Sequence, residues 1–139
     1  MKTIDDYFLS LSRFLEKSQS IVRVDPDTPF HRVTDFVGRV EARLYFFDGS
    51  YLDVGEMVRI QSGIPVNYHY RYHWQRPDGP VWTYDDAPHH PKVDTFPFHK
   101  HRYQGALKTI EGHPRIRLTE AIQEVMRILT EESTGRTPT

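Results

Sequence analysis

Between residues 39 and 85, apolar and polar side chains alternate, and turn sequences interrupt the run three times. A period of two is the signature of half-buried strands and cannot be wound onto a helix. Val40, Ala42, Leu44 and Phe46 alternate with Arg39, Glu41, Arg43 and Tyr45. Asp48-Gly49 then signals a hairpin. Leu52, Val54, Glu56, Val58 and Ile60 share the next face, with Glu56 the misfit, and Gln61–Pro65 turns the chain. Val66, Tyr68, Tyr70, Tyr72 and Trp74 line one face of the following strand, and Asn67, His69, Arg71, His73 and Gln75 the other. Pro77-Asp78-Gly79-Pro80 turns again, and Val81–Asp85 returns. Short turns join only antiparallel neighbours, so these segments predict a meander.

The flanks are helical. Ile4, Tyr7, Phe8, Leu11, Phe14 and Leu15 recur at helical spacing over residues 4–17, with Thr3 placed to cap and Asp5 and Asp6 in the first turn. Leu118, Ile122, Val125, Met126 and Leu129 form a second stripe over about 118–132. Ile21–Val24 reads as a short strand, and Asp25–Pro29 as a loop. Residues 86–117 lose all period, contain four prolines and hold five of the eight histidines. A loop this long is usually functional or disordered, and Phe96, Phe98 and Tyr103 argue against disorder. The expected class is α+β: a four- to five-stranded antiparallel sheet with an N-terminal and a C-terminal helix on one face. A chain of 139 residues suits one domain, 1–139, with a disordered tail over 133–139.

Exclusions come cheaply. The chain has 0 Cys, which removes disulfides, thiolate catalysis and cysteine-based zinc sites. Eighteen basic residues face nineteen acidic ones, so a uniformly basic nucleic-acid coat is not expected. No apolar run approaches the roughly 18 residues of a membrane span. The opening residues are acidic where a signal peptide is basic, and a cytoplasmic protein is expected. No GxxxxGK[ST], GxGxxG or GxSxG motif is present.

What remains is histidine. His69, Arg71 and His73 share one strand face and suit an anionic substrate such as a phosphate, although a solvated outer face explains them too. Tyr84-Asp85-Asp86-Ala87-Pro88-His89-His90-Pro91 and Thr95-Phe96-Pro97-Phe98-His99-Lys100-His101-Arg102 add four imidazoles, two adjacent carboxylates, a Lys and an Arg. Imidazoles titrate near neutrality and suit acid–base work. A cation beside them can take up charge on a phosphodiester in the transition state. His99 and His101 with Asp85 or His89 offer metal ligands. That spacing matches no standard motif, HExxH is absent, and Lys100 and Arg102 repel a cation. No metal or other cofactor is therefore expected. Glu56 is buried and paired, returned to water by a bulge, or supporting an imidazole. The Tyr68, Tyr70, Tyr72, Trp74 ladder fits a core better than a base-stacking platform.

The order Asp48-Gly49-Ser50-x-Leu52, Glu56, Tyr68-His69-Tyr70, Tyr84 through Pro91, and Thr95-Phe96-Pro97-x-His99-Lys100-His101 resembles the TumE family of toxin–antitoxin toxins over about residues 38–130. The resemblance implies a small prokaryotic toxin encoded beside a helix-turn-helix antitoxin, with RNA as a common target of such toxins. The chain departs from the family pattern at three positions: Asp86 stands where Asn is common, Thr83 where a basic residue is common, and Phe98 where His is common. Position 98 is therefore dispensable as an imidazole here, and Asp86 makes the loop more acidic.

Two readings follow. In the first, the chain is a metal-independent ribonuclease. His90 and His101 act as acid and base, with His89 and His99 alongside. Lys100 and Arg71 hold the phosphate, and Asp85 orients an imidazole. His69, His73, Arg102 and Tyr84 contact substrate. In the second, it is a non-catalytic module that grips a nucleic acid or a protein. A metal-dependent nuclease using Asp85, Asp86 and histidines is a narrower variant of the first. A homodimer could form through an edge strand.

Overall fold

A computed structural model of the chain describes residues 1–135. The expected tail begins at Ser133, which instead closes a helix, and residues 136–139 lie outside the described part. Helix α1 (Ile4–Lys17) starts at Thr3, whose backbone N–H is accepted by Asp6 Oδ2 at 3.1 Å. The strands are β1 (Ile21–Asp25), β2 (Phe30–Arg32), β3 (Val37–Phe46), β4 (Tyr51–Gln61), β5 (Ile64–Arg76), β6 (Gly79–Asp85), β7 (His99–Gln104) and β8 (Leu107–Gly112). Helix α2 (Leu118–Ser133) ends the described fold.

The class is α+β, as expected, but the sheet has eight strands rather than four or five. Its order is β1-β3-β4-β5-β6-β7-β8, with β2 beside β1's partner β3. The supposed loop 86–117 contains two of the additional strands. Their sequences carry no apolar alternation because both faces of β7 are polar: His99 and His101 point one way and Lys100 the other. β2 is only three residues long, too short to show a period.

One face of the sheet carries both helices. Ile4, Phe8 and Leu11 of α1 and Leu118, Ile122, Val125 and Leu129 of α2 close over Val40, Leu44, Leu52, Val58, Tyr72, Trp74 and Trp82. Burial of these apolar stripes, at about 25 cal/mol per Å2, is what makes the short helices stable. α1 comes closest at Gly38, where a Cβ would stand 2.5 Å from Phe8 Cζ and 2.7 Å from Ile4 Cγ1.

The alternation expected along β5 fails at one point. Gly55 pairs with Arg71 and Met57 with Tyr68, so β4 contributes Glu56 where β5 contributes both His69 and Tyr70. This is a β-bulge, and His69 takes the left-handed conformation with φ 49°. The extra residue inverts the faces beyond it. Tyr70, Tyr72 and Trp74 point into the core as expected, but Tyr68 turns outward under Arg59 and Asn67 turns inward. The Asp86 carboxylate accepts both bulge amides, from His69 and Tyr70, at 2.9 Å each.

Glu56 is 2% exposed on the helix-facing side. It accepts hydrogen bonds from the Tyr7 hydroxyl of α1 and the Tyr72 hydroxyl of β5. Asn67 Nδ2 donates to Tyr72 Oη at 2.9 Å and to the Ile116 carbonyl at 2.7 Å. One polar chain thus links α1, β4, β5 and the entry to α2. Burial pushes the Glu56 carboxyl up to about 7, against the two tyrosine donors that pull it down.

Two stability measurements test this account. Gly38→Ala forces Phe8 and Ile4 away from the sheet and is expected to lower stability by about 1–3 kcal/mol, read as a lower urea midpoint with an unchanged slope. For Glu56, the folded chain retains a proton that the unfolded chain releases between pH 4.5 and 7. Stability from this group is therefore full below 4.5 and falls by about 3 kcal/mol as pH rises through 7. Glu56→Gln should remove that slope, so the variant gains on the wild type between pH 5 and pH 8 in thermal unfolding. Parallel pH profiles for the two proteins refute the buried-carboxyl account.

Candidate imidazole–carboxylate site

Among the described residues, the opposite face of the sheet carries no helix. Strand register sets its occupants side by side: Arg71 is paired with Asp85, His73 with Thr83, Asp85 with His99, and Thr83 with His101. Of the residues expected at the site, the structure brings together Asp85, His90, His99 and His101, with Arg71 and His73 as neighbours.

The geometry is compact. His99 Nε2 lies 2.8 Å from Asp85 Oδ1 and 3.1 Å from His101 Nε2. His101 Nε2 lies 3.3 Å from Asp85 Oδ2. The His90 ring caps both, with centroids 4.8 Å from His99 and 5.4 Å from His101. Asp85, His99 and His101 are buried, while His90 is half-buried on the loop above them. Asp85 Oδ1 also accepts the Ala87 amide at 3.0 Å. His99 Nδ1 donates to the Pro97 carbonyl at 2.8 Å, which fixes its tautomer. Burial pushes the His101 imidazole below its usual pKa, against the attraction of Asp85.

The roof is residues 86–98. Thr95 Oγ1 donates to the Phe98 carbonyl at 2.5 Å and accepts the His113 amide at 2.8 Å, which fastens the loop to the start of β7 and the end of β8. Phe98 stacks on Tyr70 with planes 9° apart, so the residue that replaces an imidazole packs as hydrocarbon.

Beside the cluster, His73 Nε2 lies 3.0 Å from Gln75 Oε1, and His73 Nδ1 lies 2.6 Å from the Thr83 hydroxyl. His73 thus stands in a row next to Thr83 and His101. Arg71 is exposed, and its β4 neighbour Gly55 has nothing within 4 Å of a would-be Cβ, so the sheet surface beside the guanidinium is open.

Several expected site residues stand elsewhere. Alternation sends Lys100 through the sheet to the helix side. There its ammonium lies 3.3 Å from Glu124 Oε1 of α2 and 4.5 Å from the Tyr84 ring centroid. Burial lowers the Lys100 pKa, with Glu124 opposing. Tyr84 is buried on the same side, and its hydroxyl donates to Glu124 Oε2 at 2.6 Å. Arg102 shares that side and is tied to Glu111 on β8. Glu56 also belongs to the helix side and supports no imidazole. His89 is exposed on the loop, and His69 is exposed at the bulge. The objection that Lys100 and Arg102 repel a cation from His99 and His101 is therefore overturned, because the sheet separates them.

Asp86 was not singled out as a site residue beyond the metal variant, and it clamps the bulge. The signal was its place next to Asp85 at the strand end: adjacent residues face opposite ways.

The family model described as Toxin TumE matches residues 11–133. No curated protein and no solved structure matched the chain. The match includes every strand of the sheet, the imidazole–carboxylate cluster and its roof. The chain belongs to the TumE family of toxins.

Proposed function

We propose that this toxin cleaves RNA on the helix-free face of its sheet. The observation that carries the reading is the buried His99–Asp85–His101 cluster under His90, with the exposed Arg71 one register step away. A phosphodiester offers negative charge to Arg71, and the imidazole–carboxylate cluster activates the attacking oxygen. The open surface at Gly55 leaves room for the strand beside Arg71. Lys100 has no part in holding the phosphate.

A toxin of this family implies an antitoxin partner. A helix-turn-helix antitoxin would mask the same face, where Arg23, Arg39, Arg43, Arg59, Arg71 and Lys108 outnumber Asp25, Glu41, Asp53 and Asp85. No helix among the described residues is long and apolar enough to cross a membrane, in keeping with a cytoplasmic site of action. The unpaired edge of β8, with Leu107 and Ile110 exposed, offers the place for a homodimer.

The non-catalytic reading has its own support. Three tyrosines lie on the helix-free face under arginines: Tyr45 with Arg23 at 4.2 Å, Tyr51 with Arg43 at 3.9 Å, and Tyr68 with Arg59 at 5.0 Å. Cation and ring pairs of this kind bind single strands without chemistry.

Turnover on labelled total RNA separates the two. The wild type should produce fragments in molar excess over itself. Arg71→Ala and His101→Ala should each lose about 100-fold in rate. Arg127→Ala, on the helix layer, should lose nothing. RNA that is retained stoichiometrically and never cut would replace the enzyme with a binder.

A further inference from the structure

We infer that Asp85, His90, His99 and His101 form a binding site for one divalent transition-metal ion of the zinc class. This deepens the RNA-cleaving reading and rests on it for the ion's use in catalysis; the site itself stands on the geometry alone.

The argument begins with hydrogen-bond capacity. His99 Nδ1 is committed as a donor to the Pro97 carbonyl. Its Nε2 is then, in the neutral ring, a bare lone pair. That lone pair faces Asp85 Oδ1 at 2.8 Å and His101 Nε2 at 3.1 Å. Asp85 Oδ2 and His101 Nε2 face each other at 3.3 Å. With both rings neutral, at most one proton, on His101 Nε2, lies among these four atoms, and His101 Nδ1 is buried without a partner. A positive charge at the centre would satisfy the remaining lone pairs. Lys100 and Arg102 point away through the sheet, and Lys108, on the cluster's side, lies over the Tyr103 ring at 5.9 Å.

Distances agree with an ion. Ligands 2.0–2.1 Å from a tetrahedral zinc are about 3.3 Å from one another. Two of the three measured edges, 3.1 and 3.3 Å, lie within a few tenths of an ångström of that figure, and the third, 2.8 Å, would open by about half an ångström. The His90 ligand atom falls within 4.8 Å of those of His99 and His101, on the one side the sheet does not close. A small loop movement brings it in as the fourth ligand.

The surroundings are those of a metal centre. A ligating imidazole normally gives its other N–H to a backbone carbonyl, as His99 does to Pro97. A ligating carboxylate is normally held by a further hydrogen bond, as Asp85 is by the Ala87 amide. Three imidazoles and one carboxylate select zinc, cobalt or a neighbouring ion over calcium or magnesium. Ligation uses the ring lone pairs that metal-free proton transfer by His90 and His101 needs, so the two chemistries are exclusive.

The test is uptake of cobalt(II) and zinc(II) by the chelator-stripped full chain. One cobalt per chain should give the visible absorption of a tetrahedral ion, displaced by one equivalent of zinc. Stoichiometric zinc should raise the melting temperature. His101→Ala and His90→Ala should each weaken uptake at least about 10-fold, and His31→Ala, on the far strand β2, should not. His90 lies on the loop, so its variant remains informative even if His101→Ala destabilises the fold. The inference is overturned if no ion is taken up, or if His90→Ala and His101→Ala bind as the wild type does. RNA turnover run beside it keeps the readings apart. Uptake without cleavage keeps the site and rejects the ribonuclease; undiminished cleavage by the stripped chain in chelator rejects the ion's use in catalysis.

Discussion

The bulge at His69–Tyr70 is the constraint on which the rest of the molecule depends. One extra residue opposite Glu56 inverts β5 beyond it, and two consequences follow on the helix side. Asn67 arrives in the core, where it reaches the Ile116 carbonyl and the Tyr72 hydroxyl. Glu56 gains space to accept from Tyr72 and from Tyr7 of α1. Bulges leave backbone amides without ladder partners. Here Asp86 takes both, which fixes the end of β6 against β5. The residue before it, Asp85, is thereby held beside His99 and His101. A single irregularity in one strand both ties the helices to the sheet and positions the carboxylate of the opposite face.

The sheet works as a partition between two kinds of buried charge. On the helix side, Lys100, Glu124 and the Tyr84 hydroxyl satisfy one another beneath α2. Those three groups pair among themselves, although the Trp74 and Trp82 indole N–H groups on that side have no partner, and the arrangement is structural. On the other side, acceptors outnumber donors. Imidazole nitrogens and a carboxylate meet under a proline-rich roof. Buried polar groups without balanced partners are costly, so their persistence in a fold of this size points to a ligand or to chemistry. The alternation of His99, Lys100 and His101 along one strand is what sorts the two groups.

Much of this was legible in the sequence. The helices over 4–17 and about 118–132, the Asp48-Gly49 hairpin and the inward Tyr70, Tyr72 and Trp74 followed from period and turn chemistry alone. The phase of β5 before Tyr70 did not, because a bulge has no sequence signature when its left-handed residue is His69 rather than glycine. β7 was hidden for a different reason. Apolar alternation marks a strand only where one face meets a hydrocarbon core. His99-Lys100-His101 meets polar partners on both faces. The same fact explains the site residues. Density of imidazoles identified the segment, but without a strand assignment Lys100 and Arg102 could not be separated from their neighbours. Tyr84 is drawn toward the site by proximity in sequence and Glu56 by being the one charge on an apolar strand face, and pleating carries both to the other side of the sheet.

Asp85 and Asp86 are adjacent, chemically near-identical, and committed to different tasks by pleat alone. Their assignment is therefore a matter of counting. Adding or deleting one residue between Trp82 and Asp85 would rotate every later side chain of that strand by half a turn. The first carboxylate would then point under α2, where Glu124 already stands, and Tyr84 would leave the core for the imidazoles. The β5–β6 ladder already holds one extra residue, Val81, near its tip, where Trp74 pairs with Trp82 and Gln75 with Pro80. Between Trp82 and Asp85, substitutions could be absorbed one at a time, whereas a single residue gained or lost without a compensating bulge would exchange the two faces.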